Sequence, residues 1–269
     1  MEHILLVDSD SIVFQAAAVA EKAEVPIFKK DNIMNRAIKA KMDKITHSFF
    51  FADMKVAMRG NANFRKTIYP EYKANRPDLS QLLSDLINEG TEMMANTWDA
   101  VAADGMEADD LVSIWAYEEY TEGSKTPIIV GIDKDLKQIP GNHYNFNNYK
   151  REFISQDEAH LLLMKQCLTG DAGDNIPGLR GIGPKKASTI LETVPAGSRW
   201  DVVKRTWREH EAGDPWLSYT LLSMLKSWDE YTGIKKKVME INLDNFGTFV
   251  PNKTPQREQN VCKEGEDNL

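Results

Sequence analysis

The sequence has few cysteines, no long apolar run and no excess of positive charge, and each absence narrows the class of protein. Its 269 residues include two cysteines, Cys167 and Cys262, which form no disulfide framework and favour a reducing cytoplasm. A run of about 18 apolar residues, which a membrane-spanning helix requires, does not occur. The amino terminus MEHILLVDSDSIVF lacks the basic start of a signal peptide and is typical of a first strand. We expect a globular protein of the cytoplasm, or of the host cytoplasm if the source is viral.

Apolar runs that end in aspartate indicate a parallel β-sheet. They are ILLVD, which ends at Asp8, SFFFAD, which ends at Asp53, and PIIVGIDKD, which contains Asp133 and Asp135. Short apolar runs separated by helical patterns are typical of an α/β protein with a mostly parallel central sheet flanked by helices. We therefore predict that all of these aspartates lie at the carboxyl edge of the sheet, where such proteins bind their ligands.

The composition changes near residue 155, which predicts an N-terminal α/β region, 1–154, and a C-terminal helical region, 155–250. In the first region PDLSQLLSDLINEGTEM has leucines from Leu79 onward at helical spacing, and WDAVAAD is a short additional strand. The second region opens with a capping box, Ser155 followed by Glu158. Residues 251–269 are polar, and we predict a flexible tail.

Acidic residues occur in short motifs that together predict a metal site. Taken singly, most of these acids are better explained as helix caps or loop aspartates, and only their joint occurrence favours a metal site. Crowded carboxylates raise one another's pKa and destabilise the fold unless cations neutralise them. Oxygen ligands favour Mg²⁺, with Mn²⁺ as a substitute, and so many acids can hold two ions about 3.5–4 Å apart, which clamp a phosphodiester. The candidate ligands are Asp8, Asp53, Glu107, Asp109, Asp110, Asp133, Asp135, Asp171 and Asp174.

The cations of this chain, whose formal net charge is −8, are unevenly distributed. An acidic chain argues against a nucleic-acid partner unless its cations are concentrated. The segment FRKTIYPEYKANRP carries four of them, Arg65, Lys66, Lys73 and Arg76. Alone, this strip would be a solvated loop. Beside a metal site, Lys73 and Arg76 could meet the scissile phosphate and Tyr72 could stack on an unpaired base.

A glycine-rich turn, GLRGIGPKKA, leads into a predicted helix. Its backbone N–H groups could bind a phosphate oxygen, and two lysines add point charges. The alternative is a packing motif in which the glycines only allow the bend. The pattern provides contacts to the phosphate backbone and none to the bases, so we expect little recognition of DNA sequence. The candidate DNA-binding residues are Arg65, Lys66, Tyr72, Lys73, Arg76, Gly181, Gly183, Lys185 and Lys186.

These motifs, which extend from about residue 4 to 190, resemble in order and combination the 5′ nucleases of the flap endonuclease family. The resemblance is greatest to stand-alone bacteriophage enzymes and to the 5′-nuclease domain of bacterial DNA polymerase I. It implies a PIN-like 5′-nuclease fold with a helical arch over residues 55–78 and a helix–three-turn–helix over 168–192. No polymerase region follows in the sequence, so we expect a free-standing nuclease. We also expect a monomer.

The resemblance also implies an activity. It is that of a structure-specific 5′→3′ exonuclease and flap endonuclease, which acts on DNA with 5′ ends, flaps or nicks, and on RNA–DNA hybrids. The implied roles are RNA primer removal in replication, or DNA degradation. Two or more Mg²⁺ or Mn²⁺ ions are implied, together with K⁺ at the helix–three-turn–helix. The implied catalytic residues are Lys73, Arg76, Asp8, Asp110 and Asp135.

The resemblance divides the candidate ligands into two groups. One group lines the first metal site and the other serves the second: Asp8, Asp53, Glu107, Asp109 and Asp110, then Asp133, Asp135, Asp171 and Asp174.

Two other functions are compatible with parts of the sequence. LLVDSDSIV has the layout of a haloacid-dehalogenase-type phosphatase, with Asp8 as nucleophile and Asp10 as acid, but this leaves Glu107 and the basic strip unexplained. A DNA-binding protein without catalysis would gain nothing from stacked negative charge beside a phosphate.

Overall fold

A computed structural model describes residues 2–50 and 52–245, with side chains up to residue 236. Eight strands occur in this part of the chain: β1 (His3–Asp8), β2 (Asp53–Asn63), β3 (Val101–Gly105), β4 (Thr126–Val130), β5 (Gly141–Asn145), β6 (Lys150–Ile154), β7 (Gly170–Asp171) and β8 (Ile176–Pro177). The first five helices are α1 (Asp10–Lys22), α2 (Lys30–Ser48), α3 (Phe64–Ile68), α4 (Gln81–Trp98) and α5 (Ala108–Thr121). The others are α6 (Gln156–Thr169), α7 (Pro184–Leu191), α8 (Ala196–Glu209), α9 (Trp216–Leu222) and α10 (Trp228–Asn245). No described helix is both long and apolar enough to span a membrane.

The central sheet has six strands in the order β3-β2-β1-β4-β5-β6. All adjacent pairs are parallel except β5 and β6, which form an antiparallel hairpin at one side. Strand β1 lies inside the sheet and is apolar throughout its interior, as expected for a strand covered on both faces. The mostly parallel α/β sheet predicted from the apolar runs is therefore confirmed.

The two faces of β1 pack against different sets of helices. Leu5 and Val7 contact a core built from α1, α2 and α4. Ile4 and Leu6 point the other way, toward α5 and the segment around Leu225. This alternation follows from the period of two along a strand. Helices thus cover both faces of the sheet, so a site is expected at the ends of the strands.

Two predicted helix starts can be compared with the structure. The capping box at the start of α6 is confirmed, because the Ser155 side chain accepts the Glu158 N–H and Glu158 accepts the Ser155 N–H. Helix α4 begins later than its leucines predicted. Its cap is Ser80, whose hydroxyl accepts the Leu83 N–H at 3.0 Å. Leu79 therefore precedes the helix and is 46% exposed.

The C-terminal helices build a third core, in which α6 packs on α7, α8 and α9. A side chain from the N-terminal region, Tyr72, belongs to the same core. The central sheet ends at β6, and Tyr72 of the basic strip packs against the helices that follow it. The predicted tail, 251–269, lies outside the described residues.

One strand was misplaced by the sequence pattern. SFFFAD is not a strand that ends at Asp53; β2 begins there, and Asp53 pairs with Ile4 while Asp8 pairs with Ala57. Helix α2 runs to Ser48, and Phe49 packs edge-on against Tyr144 with ring centroids 4.9 Å apart. The described residues of this run therefore precede β2 and do not form it, and Asp53 lies at the amino end of the sheet, opposite the end that carries Asp8.

The same register corrects the boundary of the predicted arch. Residues 55–63 belong to β2, so the segment that leaves the sheet begins at Phe64. It contains one five-residue helix, α3, and continues in turns.

Candidate active site

Three connections bring acids to the carboxyl edge of the sheet. Asp8 is the last residue of β1, Glu107 caps α5 just after β3, and Asp133 follows β4. Because the three strands are parallel, their carboxyl ends meet at one edge. The predicted convergence is therefore present for these acids.

Asp8 lies deepest in this group, with 4% exposure. Its Oδ1 accepts the Asp10 N–H at 3.0 Å, and its Oδ2 accepts the Ser11 hydroxyl at 3.4 Å. Burial, together with the charges of Asp10 and Asp133, raises the pKa of Asp8 to about 7 and outweighs the two hydrogen bonds, which lower that pKa. A buried carboxylate with acidic neighbours favours a cation as its partner.

The motif EADD forms the first turn of α5. Oxygens of Glu107, Asp109 and Asp110 lie within 4.8 Å of one another, close enough to hold one metal ion. Burial raises the pKa of Glu107, but Lys73 and Arg65 outweigh it and hold that pKa at about 2. Burial, together with the charges of Glu107 and Asp110, raises the pKa of Asp109 well above its usual value.

Asp110 is fully buried and paired with Arg65, which was expected to contact DNA. The guanidinium donates Nη1 to Oδ2 at 2.5 Å and Nη2 to Oδ1 at 2.8 Å. It also donates to the carbonyl oxygens of Leu221 and Ser223. Arg65 is 3% exposed, so its assignment to DNA binding is wrong. The side chain instead joins α3, α5 and the C-terminal end of α9.

Asp133 and Asp135 follow β4 through a tight turn. Oδ1 of Asp133 accepts the Asp135 N–H at 2.9 Å, and a 3-10 helix runs over Asp135–Gln138. Gln166 of α6 donates Nε2 to Oδ1 of Asp135 at 2.5 Å. Burial and the charge of Asp133 raise the pKa of Asp135 to about 6.

Asp171 joins the same group through Lys134, which donates Nζ to Oδ2 of Asp171 at 2.7 Å. Burial raises the pKa of Asp171, but the contact with Lys134 outweighs it and holds the pKa below its usual value. The other oxygen accepts the N–H groups of Gly173 and Asp174 at 2.7 and 3.3 Å. The hairpin β7–β8 therefore carries two acids toward the carboxyl edge.

The basic strip lies against this hairpin. Asp174 receives Arg76 Nη2 at 2.6 Å, and Lys73 Nζ is 3.7 Å away. Lys73 also donates to Glu107, so it bridges two acids from distant segments. Its backbone is left-handed, with φ of 58°, and its N–H donates to the Asp174 carbonyl at 2.9 Å. Lys73 and Arg76 are therefore placed among the carboxylates.

Tyr72 does not offer a stacking surface. It is 2% exposed, and its hydroxyl donates to Glu107 at 2.7 Å and to Asp174 at 2.9 Å. The predicted stacking of Tyr72 on a base is therefore wrong, because the ring is part of the C-terminal core. Lys66, in contrast, is exposed on α3.

The glycine turn connects β8 to α7. Gly181 has φ of +79°, a conformation that favours glycine, and a side chain there or at Gly183 would meet no atom within 4 Å. The glycines therefore leave an open backbone surface. Pro184 opens α7, and Lys185 and Lys186 are exposed in its first turn.

Two aspartates have positions that the motifs did not predict. Asp53 is ion-paired with Lys125 at the opposite edge and does not join the cluster. Asp10, which the motifs assigned only to the phosphatase alternative, lies in it: its Oδ1 accepts the Arg59 N–H at 3.1 Å. Its signal in the sequence was a second acid two residues after Asp8.

A sequence profile described as "5′-3′ exonuclease, N-terminal resolvase-like domain" matches residues 3–164. The chain belongs to this 5′-3′ exonuclease family. DNA polymerase I of Rhizobium leguminosarum is 29% identical over 211 residues, which cover 71% of this chain and 20% of the polymerase. Flap endonuclease Xni of Shewanella amazonensis is 29% identical over 205 residues, which cover 72% of this chain and 78% of that protein. The chain thus matches about a fifth of the polymerase's length and most of Xni.

Solved structures share the fold. The T5 D15 protein co-crystallised with metal ions superposes with a TM-score of 0.65 at 17% identity, covering 89% of this chain and 99% of that one. A bacteriophage T5 D15 flap endonuclease complex with DNA and metal ions gives a TM-score of 0.65 at 15% identity, with the same coverage. The fold expected from the motifs is therefore confirmed. The expected enzyme class, a 5′-3′ exonuclease, is confirmed by the family match over residues 3–164.

Proposed function

We propose that the protein is a structure-specific, metal-dependent 5′-3′ exonuclease and flap endonuclease that hydrolyses DNA phosphodiester bonds. The observation that carries this proposal is the convergence of acids from separate segments at one edge of the sheet, with two cations among them. Lys73 bridges Glu107 and Asp174, and the charges of Asp10 and Asp133 both act on Asp8. Hydrolysis of a phosphodiester needs both acidic and basic side chains. The acids bind metal ions that activate the attack, and the basic side chains stabilise the developing negative charge.

The donor set fits a hard divalent ion. It consists of carboxylate oxygens, several of them buried, and burial together with neighbouring acids raises the pKa of Asp8 and of Asp109. Such oxygen ligands suit Mg²⁺ or Mn²⁺. We assign a first ion to Asp8, Glu107 and Asp109. A second ion is assigned to Asp133 and Asp135, with Asp171 and Asp174 beside them.

Bound divalent ions would supply Lewis-acid activation and neutralise charge on the transferred phosphoryl group, in a two-metal reaction. The chain's own cations contribute orientation. Lys73 and Arg76 can move from Glu107 and Asp174 to the non-bridging oxygens of the scissile phosphate, because all four side chains meet at one place. Arginine suits this task because its planar fork can bind two phosphate oxygens.

DNA binding is assigned to exposed groups on both sides of the acids. The open glycine backbone and the first turn of α7, with Lys185 and Lys186, would hold the phosphates of a duplex. K⁺ is proposed for the same turn. On the other side Lys66 is exposed on the strip that leads to Lys73 and Arg76. The proposed substrates are 5′ ends, flaps and nicks, including RNA–DNA hybrids, cut by a cytoplasmic monomer in primer removal or DNA degradation.

A digestion experiment tests the proposed function. A 5′-labelled flap, a nicked duplex and an RNA–DNA hybrid are incubated with the protein in Mg²⁺ or in EDTA, and product lengths are read from a gel. We expect cleavage near the flap junction and from 5′ ends, in Mg²⁺ only. Binding without hydrolysis in both Mg²⁺ and Mn²⁺ would instead support a DNA-binding protein without catalysis.

The phosphatase alternative makes a different prediction. It needs Asp8 and Asp10 to act on a phosphomonoester and leaves Lys73 and Arg76 without a role. The family assignment favours the nuclease. Release of phosphate from a small monoester without DNA cleavage would favour the phosphatase.

A further inference from the structure

Strand β2 brings no carboxylate to the carboxyl edge, although it lies next to β1. In the register of the two strands, Asp8 is opposite Ala57, and the next residues of β2 are Met58, Arg59 and Gly60. The acid at the start of β2, Asp53, is opposite Ile4. Four residues of a strand span about 13 Å, so Asp53 cannot reach an ion beside Asp8. The side of the site that faces β2 therefore depends on an acid from elsewhere.

The carboxylate of Asp10 occupies this side. It extends from the first turn of α1 across to β2, where its Oδ1 accepts the Arg59 N–H at 3.1 Å. Its own backbone N–H donates to Oδ1 of Asp8 at 3.0 Å, which holds the Asp8 carboxylate against the backbone of Asp10. The charge of the Asp10 side chain acts on Asp8 as well. Among the described residues, no hydrogen bond engages Oδ2 of Asp10.

The charges around Asp10 are those of the proposed first ion site. Glu107 and Lys73 both lie close enough to act on its carboxylate, and so does Arg59. A purely structural role for Asp10 does not explain its position beside the other acids. An acid in the first turn of a helix is favourable in itself, and a carboxylate can tie a helix to a strand. Neither role requires the half-buried side chain to lie where the charges of Asp8 and Glu107 act on it.

We propose that Asp10 is a metal-facing carboxylate which, with Asp8, Glu107 and Asp109, completes the donor set of the first divalent ion. The inference rests on the proposed function, since it assumes that an ion binds between these acids. In this arrangement α1 supplies the carboxylate that β2 lacks. Arg59 N–H holds one oxygen of Asp10 and leaves the other for the ion.

The test is the affinity of the DNA-free protein for Mn²⁺, measured by calorimetry and by the electron paramagnetic resonance signal of free Mn²⁺. Asp10→Asn keeps the acceptor for Arg59 N–H and removes the charge, so the fold should be retained, which circular dichroism checks. We expect at least a tenfold weaker Mn²⁺ affinity, as for Asp8→Asn. The matched control is Asp53→Asn, which should bind Mn²⁺ as the wild type does.

The outcomes separate this inference from the proposed function. If Asp10→Asn binds Mn²⁺ like the wild type while Asp8→Asn does not, Asp10 is not metal-facing and the proposed function stands. If the wild type binds no Mn²⁺, or if neither variant differs from it, the metal site itself fails. Cleavage rates at increasing Mg²⁺ give a second measurement. For Asp10→Asn we expect a higher Mg²⁺ requirement, and an unchanged requirement would count against the assignment.

Discussion

Arg65 and Asp110 form a buried ion pair with two hydrogen bonds, and this pair connects the basic strip to α5, which carries the EADD motif. Arg65 also donates to the Leu221 and Ser223 carbonyls, and the Leu225 N–H donates to Asp110 Oδ1 at 3.2 Å. Burial disfavours the charge on Arg65, but Asp110 reverses the effect and raises the pKa of the guanidinium. Both oxygens of Asp110 are thus occupied by protein donors, and we expect Asp110 to act by positioning Glu107 and Asp109.

Removal of one partner of this pair should destabilise the protein strongly. Arg65→Met leaves the Asp110 charge buried and unpaired, which typically costs about 3–5 kcal/mol. Urea denaturation should show this loss in the free energy of unfolding. The control is Asp201→Asn, which breaks the surface pair with Lys204 and should leave the midpoint unchanged. An Arg65→Met protein as stable as the wild type would show that the pair is not structural.

Asp8→Asn should stabilise the metal-free protein. The pKa of Asp8 is raised from 3.8 to about 7, mainly by burial. Between these values the folded protein holds a proton that the unfolded chain has released, so the free energy of unfolding falls as the pH rises. In EDTA at pH 8 we expect Asp8→Asn to melt about 5 °C or more above the wild type, with a smaller difference at pH 5.

Divalent ions should reverse that order. Added Mg²⁺ should raise the melting temperature of the wild type more than that of Asp8→Asn, because only the wild type retains the full donor set. A wild-type melting temperature that changes with neither Mg²⁺ nor pH would contradict the view that these acids repel one another.

Lys73 should have two separable effects. In the DNA-free protein its ammonium lies on Glu107, where it competes with a metal ion. Lys73→Met should therefore bind Mn²⁺ more tightly without DNA, yet cleave bound DNA about 100-fold or more slowly in a single turnover. Lys66→Met, a change to an exposed neighbour on the same strip, should not alter Mn²⁺ affinity. Unchanged cleavage by Lys73→Met would remove the catalytic role.

The turn before α7 should contribute to affinity and not to chemistry. Lys185→Ala and Lys186→Ala should each weaken duplex binding and lower the slope of log K against log salt by about one, if each lysine contacts a phosphate. Fluorescence anisotropy at several salt concentrations measures this slope. Lys125→Ala, at the opposite edge, is the control. Equal slopes for the three variants and the wild type would place the duplex elsewhere.

The apolar runs predicted much of the fold because β1 and β4 are buried on both faces, and such strands have a distinctive composition. The same pattern failed for SFFFAD, since an apolar run does not specify whether it forms a strand or precedes one. Sequence also identified Lys73 and Glu107 but not their contact. Tyr72 looked like an exposed aromatic because its acceptors lie far away in the chain; Asp174 is 102 residues from it. Burial that depends on such distant partners cannot be read from a local pattern.

The most direct measurement of the central claim is cleavage of a 5′-flap DNA by three proteins at saturating Mg²⁺. The wild type should cut in Mg²⁺ and not in EDTA. Asp135→Asn should still bind the flap but lose most of its cleavage, because Asp135 lies in the acidic cluster. Asp53→Asn should cut at the wild-type rate, because Asp53 lies at the other edge of the sheet. Full cleavage by Asp135→Asn, or loss of cleavage by Asp53→Asn with its fold intact, would contradict the proposed site.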